Sequence, residues 1–441
     1  MQINYGGTDT VIDSNKKKDL LAEALQKIKN YSKVLVLPPD ITRLHSGAGE
    51  LTKMLYDILG KDKMRIMPAI GTHEALTEEH IRIMYPGVPR ELFMVHDWRN
   101  DVVPLGVVPS DFIKEVSEGK LDYEIPIQVN KILLEVCSSI ALFPRHSAER
   151  DRRNVNGYDL IISVGQVVPH ENTGFSNYSK NIFIGIGGEE TINKSHFLAG
   201  VYGMERIMGR INTPVRKVLD YAEQFIKGIP IIYIMTVIGR EDANHVPPCN
   251  GRTELVTSGL FIGDNKDTFV ESAKLSQQIN LTRLKEPLKK AVVYLDPVEY
   301  QSHWLGNKSI YRTRMAMADG GELTVIAPGL RMYGEDPEID RLIRKYGYHG
   351  TDEILQEVKE NQELRNNLVS AAHLIHGSSE RRFRIIYAPG HLSKEETENA
   401  GYEWADVNSL MKQYDINKLK DGYNGDFYYI SNPALGLWTA E

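Results

Sequence analysis

Short, strand-sized apolar runs alternate with stretches of helical periodicity along almost the whole chain, and each run ends in a polar loop. Residues 16–30 read as a helix, with Leu20, Leu21, Ala24, Leu25 and Ile28 at helical spacing. VLVLP at 34–38 reads as a buried strand that Pro38-Pro39 ends. A helix at 49–60, a strand MRIMPAI at 64–70 and the loop GTH follow. The helix from Thr77 has a capping-box look through His80, with Glu78 and Glu79 suiting its positive end. FMVHD at 93–97 reads as a strand with His96 and Asp97 at its tip. YDLIISVGQVVP at 158–169 and IPIIYIMTVIG at 229–239 read as further strands. This alternation argues for α/β layers, with functional loops at the C-terminal ends of strands.

A chain of 441 residues is long for one ordinary core, so two domains are expected. The division is placed at 1–270 and 271–441, where a polar amphipathic helix over 266–280 gives way to the charged stretch RLKEPLKK. The second part shows strands at 291–297, 321–329 and 382–390, a helix near 303–318, and a final DFYYISNP able to pair with either domain. The expected fold class is therefore α/β, with two domains of mixed or parallel sheets flanked by helices and the active site in the interdomain cleft.

Charge and composition narrow the function. A net charge of −7 opposes nucleic-acid binding, which needs a basic face, but leaves room for a local basic pocket. Cys137 and Cys249 are too few for a thiolate cage or a disulfide framework, which fits a reducing cytosol. The N-terminal MQINYGGTDTVID is polar, and the longest apolar runs are too short to span a bilayer. No targeting segment and no membrane partner are expected, and a cytoplasmic location is.

Three basic side chains stand out: His170, Lys180 and His196, spaced His-x9-Lys-x15-His. Upstream lie Asp40, Thr42 and Arg43 in DITR, and His73 in GTH. His170 follows Pro169 at the end of an apolar run, and Gly71 permits a tight turn before His73. Each histidine alone is more often solvated or structural. Together, at tips of one parallel sheet, the two suit proton transfer on either face of a flat substrate. His196, read near the start of a helix, either touches its own backbone or binds a metal. An all-protein zinc site needs three or four ligands at a spacing such as HExxH, which is missing here. Lys180 is either a solvated lysine or one that holds a phosphate or forms a covalent adduct. The loop IGIGGEE at 184–190 lacks both phosphate-loop and dinucleotide fingerprints. Asp40 and Arg43 form either a loop ion pair or a carboxylate grip, and Lys308 is either a surface lysine or a second positive charge on a substrate.

Taken together, DITR at 40–43, GTH at 71–73, HD at 96–97, the His170–Lys180 pair, Glu190-Thr191-Ile192 and His196 resemble the nickel-pincer lactate racemase family. The resemblance is strongest over about residues 34–216. It implies a nickel-pincer nucleotide, a pyridinium-3-thioamide-5-thiocarboxylic acid mononucleotide with nickel held sulfur–carbon–sulfur. Lys180 would attach it, His196 would complete the metal coordination, and Asp40 and Thr42 would belong to its binding site. One protein imidazole then suffices, in the square-planar arrangement nickel(II) favours. His73 and His170 would exchange the hydroxyl proton of a 2-hydroxy acid whose C2 hydrogen moves as hydride. Arg43 and Lys308 would orient the carboxylate. The N-terminal domain would be catalytic and cofactor-binding, the smaller one would complete the cleft, and cofactor-synthesis enzymes would be partners.

Two departures bear on substrate. Asn177 and Tyr178 stand where the family's lysine loop has two glycines, and Trp304 and Leu305 where lactate-specific members have a tyrosine and a glutamine. Nearby Gln301, His303, Asn307, Tyr311 and Arg312 would suit a longer, hydroxyl-rich acid, or face solvent. The expectation is a racemase or epimerase acting on a substrate larger or more polar than lactate, such as a sugar acid. A zinc hydrolase using His73, His170 and His196, or lactate racemase itself, is the alternative.

Overall fold

All four residues of Val34–Leu37 are buried, as in a strand covered on both faces. Strand alternation then divides the run. Val34 and Val36 join a cluster with Leu20, Leu21, Leu51 and Leu55 of the helices Ser14–Lys27 and Ala48–Leu59. Leu35 and Leu37 join a second cluster on the opposite face. This computed structural model describes residues 1–28, 31–135, 157–240 and 255–441. Cys137 and Cys249 lie outside them.

The first sheet has the order Gln2–Gly6, Leu255–Gly263, Ile231–Arg240, Leu160–Gln166, Val34–Leu37, Met64–Ile66. Its first two pairings are antiparallel and the other three parallel. The parallel strands therefore deliver their C-terminal loops to one edge, where a doubly wound sheet places its ligands. The second sheet runs Glu403–Trp404, Arg384–Pro389, Met317–Ala327, Leu288–Tyr294, Phe427–Ile430, Gly422–Asn424. It is parallel except for the last pair. The stretch DFYYISNP thus joins this sheet, through Phe427–Ile430.

One apolar cluster runs between the sheets. It includes Leu35, Ile161 and Met235 from the first and Val293, Val325 and Tyr387 from the second. The molecule is α/β, with two mixed or parallel sheets flanked by helices. The helix Lys266–Asn280, which spans the expected division at 270, is capped by Asn265 and packs on the first sheet through Phe269, Ala273 and Leu275. It leads into Leu281–Leu284, which pairs in parallel with Leu437–Ala440. Among the described residues no helix is long and apolar enough to cross a membrane.

Three local expectations need correction. Of the stretch 64–70 only Met64–Ile66 is strand, since Pro68 has no N–H to pair. At 93–97 only Phe93 bridges the sheet, to Ile66. His96 there is a buried strut, its Nε2 bonded to the Gly187 carbonyl at 3.0 Å and its Nδ1 to Asn130 Nδ2 at 2.9 Å. The expected helix near 303–318 is two short helices, His303–Gly306 and Lys308–Tyr311, and the chain is already in a strand at Met317. Ser309 and Thr313 hydroxyls bond back to the carbonyls of Gly306 and Ser309, which competes with a longer helix.

Candidate active site

Asp40 emerges from the strand Val34–Leu37 and caps the 3₁₀ turn Ile41–Ser46. Its Oδ1 accepts from Thr42 N at 3.0 Å and Thr42 Oγ1 at 2.6 Å, which aims Oδ2 at His73 Nδ1, 2.6 Å away. His73 reaches it because Gly71 takes φ +61° and donates its N–H to the Gly185 carbonyl at 2.9 Å. Burial alone would lower His73, but Asp40 overcomes this and raises it. Burial would likewise raise Asp40, yet His73, Thr42 and Arg43 hold its carboxyl at about 2. The pair is a carboxylate–imidazole dyad with His73 Nε2 directed away from the carboxylate.

His170 follows the strand Leu160–Gln166 and pairs with Gly174 in a small hairpin. It is buried, and burial pushes its pKa well down. Its Nδ1 faces Asn172 N at 3.2 Å and Glu171 Oε2 at 3.4 Å. The chain then turns through Asn177 and Tyr178, both left-handed at φ +71° and +58°. The loop thus keeps a glycine-like backbone without the glycines. Tyr178 is held there by stacking on Phe269 at 5.3 Å and by its hydroxyl bond to Glu223 at 3.1 Å. Buried Arg216 fixes the loop from behind, bonding Ser179 Oγ at 3.0 Å and the Phe175 carbonyl at 2.7 Å. Lys180 closes the loop just before a π-helical turn, Asn181–Gly185. Burial first, and then Arg43, lowers its ammonium to about 8.

His196 sits in the middle of the helix Glu189–Tyr202, not near its start. Its Nδ1 lies 2.8 Å from the Ile192 carbonyl, so that nitrogen carries the hydrogen and Nε2 keeps its lone pair. Burial, followed by Lys180, lowers its pKa to about 4, so the ring is neutral at pH 7. Lys308 opens the helix Lys308–Tyr311 and is buried, not a surface lysine; burial and then Arg43 lower it to about 8.

The predicted residues act on one another electrostatically. Arg43 bears on His170, Lys180 and Lys308, Lys180 bears on His196, and Lys308 bears on His73. Thr42 enters only through Asp40. Of the extra polar residues, His303 is packed among Tyr348, Tyr387 and Tyr402, and Asn307 bonds His373. They belong to the second core, not to solvent. Arg312 does share the site's field, through Glu171, Arg43 and Lys308. Sequence reasoning did not single out Glu171, Arg216 or His376. His376 ends the helix Leu368–His376, far along the chain, and no local pattern marks it.

Among the described residues several buried polar atoms have no hydrogen-bond partner: Arg43 NH1, both ends of the Gln166 amide, Asn172 Oδ1, Arg312 Nε and NH2, and His376 Nε2. Native interiors satisfy such groups, so this set fits a polar, anionic guest. A lysine amine with no hydrogen bond among the described residues and a neutral imidazole with a bare Nε2 fit a metal-bearing nucleotide that brings its own donors. Among the described residues no cluster of three His, Cys, Asp or Glu side chains is arranged to hold a metal ion, which disfavours the zinc alternative.

A family model described as the lactate racemase N-terminal domain matches residues 152–206. Lactate racemase of Thermoanaerobacterium thermosaccharolyticum is 24% identical over 246 residues, 51% of this chain and 48% of the relative, so the match spans about half of the curated protein. A crystal structure of a Thermotoga maritima protein superposes with a TM-score of 0.80 at 24% identity, covering 99% of this chain and 100% of that one. The lactate racemase apoprotein of T. thermosaccharolyticum superposes with a TM-score of 0.63 at 16% identity, covering 99% and 94%. At these identities the structures speak for the fold, while the matched segment contains His170, Lys180 and His196. The shared fold, the matched segment and the curated relative make the chain similar to lactate racemases over these regions.

Proposed function

We propose that this chain inverts C2 of a 2-hydroxy acid, as a racemase or epimerase working with a bound nickel-pincer nucleotide. The observation that carries the reading is the gathering of His73, His170, Arg43 and Lys308 in one field beside Lys180 and His196. When bound, the cofactor supplies a hydride acceptor, which spares C2 the carbanion that simple deprotonation would demand. Lys180 would hold it and His196 Nε2 would face its nickel. Asp40 and Thr42 build the wall on that side.

The chain's own residues do the rest. Arg43 and Lys308 grip the substrate carboxylate and polarise its oxygen. His73, steadied by Asp40, takes the hydroxyl proton of one epimer through Nε2. His170 serves the other epimer, so the transient 2-oxo acid can be reduced on either side. Burial excludes water and keeps these charges strong. Arg312 Nε and NH2 and the Gln166 amide have no hydrogen-bond partner among the described residues and would suit a substrate larger or more polar than lactate, such as a sugar acid. We place the reaction in the cytoplasm, with the cofactor supplied by dedicated synthesis enzymes, and the two sheets as the two lobes around the substrate.

A panel of 2-hydroxy acids, assayed for C2 inversion with cofactor-loaded enzyme, tests the reading. Inversion of a polyhydroxylated acid supports it, inversion of lactate alone removes the sugar-acid arm, and inversion of none sinks it. His73→Asn and His170→Asn should each lower turnover by roughly 10²–10⁴-fold while nickel is retained. His196→Ala should instead lose the nickel, measured by elemental analysis.

A further inference from the structure

Two largely buried side chains, one from a loop of each sheet, face each other without meeting. His45 lies near the end of the 3₁₀ turn Ile41–Ser46, which Thr236 Oγ1 ties to a strand of the first sheet by donating to the Ser46 carbonyl at 2.7 Å. Glu299 lies in the loop after the strand Leu288–Tyr294 of the second. His45 Nδ1 and Glu299 Oε1 are 3.8 Å apart, and the two side chains are 8% and 15% exposed. That distance is too long for a hydrogen bond. The contact is not an ion pair at neutral pH either. Burial, followed by Arg43, Lys308 and Arg312, lowers His45 to about 3 and keeps the ring neutral.

Glu299 is held by its other oxygen. Oε2 accepts from Asn432 Nδ2 at 2.9 Å, while Asn432 Oδ1 accepts from the Tyr300 hydroxyl and the Ala434 N–H, each at 2.9 Å. These bonds fix the Asn432 amide and occupy Oε2, and Oε1 is left toward His45. Glu299 Oε1 and His45 Nε2 are both buried and have no hydrogen-bond partner among the described residues. Burial of such atoms is costly until something satisfies them. A neutral imidazole offers one N–H and one lone pair. A hydroxyl both donates and accepts, so an alcohol oxygen about 2.8 Å from each side of the gap could accept from the ring and donate to Oε1.

The gap adjoins the proposed carboxylate grip. Arg43 precedes His45 on the same turn, and Lys308 Nζ lies 5.7 Å from the ring centre of Tyr300, the neighbour of Glu299. Resting on the racemase reading, we propose that His45 and Glu299 form a hydroxyl-binding subsite for the carbon chain of a polyhydroxylated 2-hydroxy acid, beyond its carboxylate and C2. The two residues select the substrate and take no part in the proton transfer.

Titration calorimetry on the full-length chain, cofactor-free and cofactor-loaded, tests this. The probes are the six-carbon aldonates gluconate, mannonate and galactonate, set against 2-hydroxyhexanoate, which has the same carbon count and no hydroxyl beyond C2. The wild type should bind at least one aldonate more tightly than 2-hydroxyhexanoate. His45→Phe and Glu299→Leu should each reduce that preference roughly 10–100-fold. Equal or weaker binding of every aldonate in both forms of the wild type overturns the proposal, even if the variants do not fold. So does an aldonate preference that survives both substitutions, which would leave only water between the two side chains. Assaying the loaded enzyme for C2 inversion separates this outcome from the racemase reading. Inversion without the hydroxyl preference removes the subsite alone. The expected preference, lost in both variants of a protein that inverts none of the acids, supports the subsite and removes the racemase reading instead.

Discussion

The Asp40–His73 pair makes a pH prediction with a definite sign. Asp40 is depressed in the fold to about 2, so its contribution is complete above the unfolded value near ~3.9 and fades as pH falls through 2. His73 is raised, so its contribution is complete below the unfolded value near ~6.5 and fades as pH climbs through the higher folded one. The ion pair therefore stabilises most between about pH 4 and 6.5. Asp40→Asn should cost about 2 kcal/mol near pH 5 and much less at pH 9, read as the Tm difference from wild type. A loss that grows toward pH 9 would mean the two groups are not paired as ions. At this scale the sequence was informative where chemistry-bearing residues lie in the loops that follow strands: Asp40 after Val34–Leu37, His73 in the turn after Met64–Ile66, and His170 after Leu160–Gln166. It was silent on Glu171, because a glutamate beside a histidine is ordinarily solvated. Only the turn back to Gly174 folds it inward.

The loop Gly174–Lys180 shows how an element can hold an unfavoured backbone. Tyr178 at φ +58° is strained, as any β-carbon is there, and its ring packing against Phe269 and Tyr233 offsets the strain. Truncation separates the two effects. Tyr178→Ala should destabilise by about 3–5 kcal/mol, because it loses the packing and keeps the strain. Tyr178→Gly should be milder by about 1 kcal/mol, the reverse of the order found at ordinary positions. Urea midpoints of the two variants check this, and alanine proving the milder change would remove the strain argument. Elements with strong local signals were legible: the Thr77 capping box forms both its bonds, and the helix Lys266–Asn280 matches its periodicity. The stretch at 303–318 was not, since its apolar spacing is helical and only the back-bonding of Ser309 and Thr313, together with pairing onto the second sheet, breaks it.

At the scale of the molecule, the helix that carries His196 meets the helix Leu368–His376 across a close contact. A β-carbon on Gly200 would lie 3.4 Å from Ala372 Cα, an ordinary contact, and Asn193 Oδ1 accepts from Val369 N at 2.9 Å. Gly200→Ala should therefore be tolerated, while Gly200→Leu should destabilise by about 1–3 kcal/mol and shift His196, which under the proposed function would weaken nickel retention. Thermal unfolding and nickel content of both variants check it; a leucine as mild as alanine would show that the helices have room to part. The α/β class was readable from the alternation of periods alone, because each layer must bury its own apolar face. The sharing of one core between two sheets was not, since apolar residues do not announce which partner they meet. Nor was the ribbon made by Leu281–Leu284 and Leu437–Ala440, whose strands lie far apart in the chain. That ribbon joins on to the Arg312 segment, through Trp438 N to the Arg312 carbonyl at 3.0 Å and Arg312 NH1 to the Gly436 carbonyl at 3.0 Å. The crossing between the lobes is consequently braced and not a loose tether. A motion of one sheet against the other must pivot around this brace or unzip it, and unzipping it would pull on the Arg312 guanidinium.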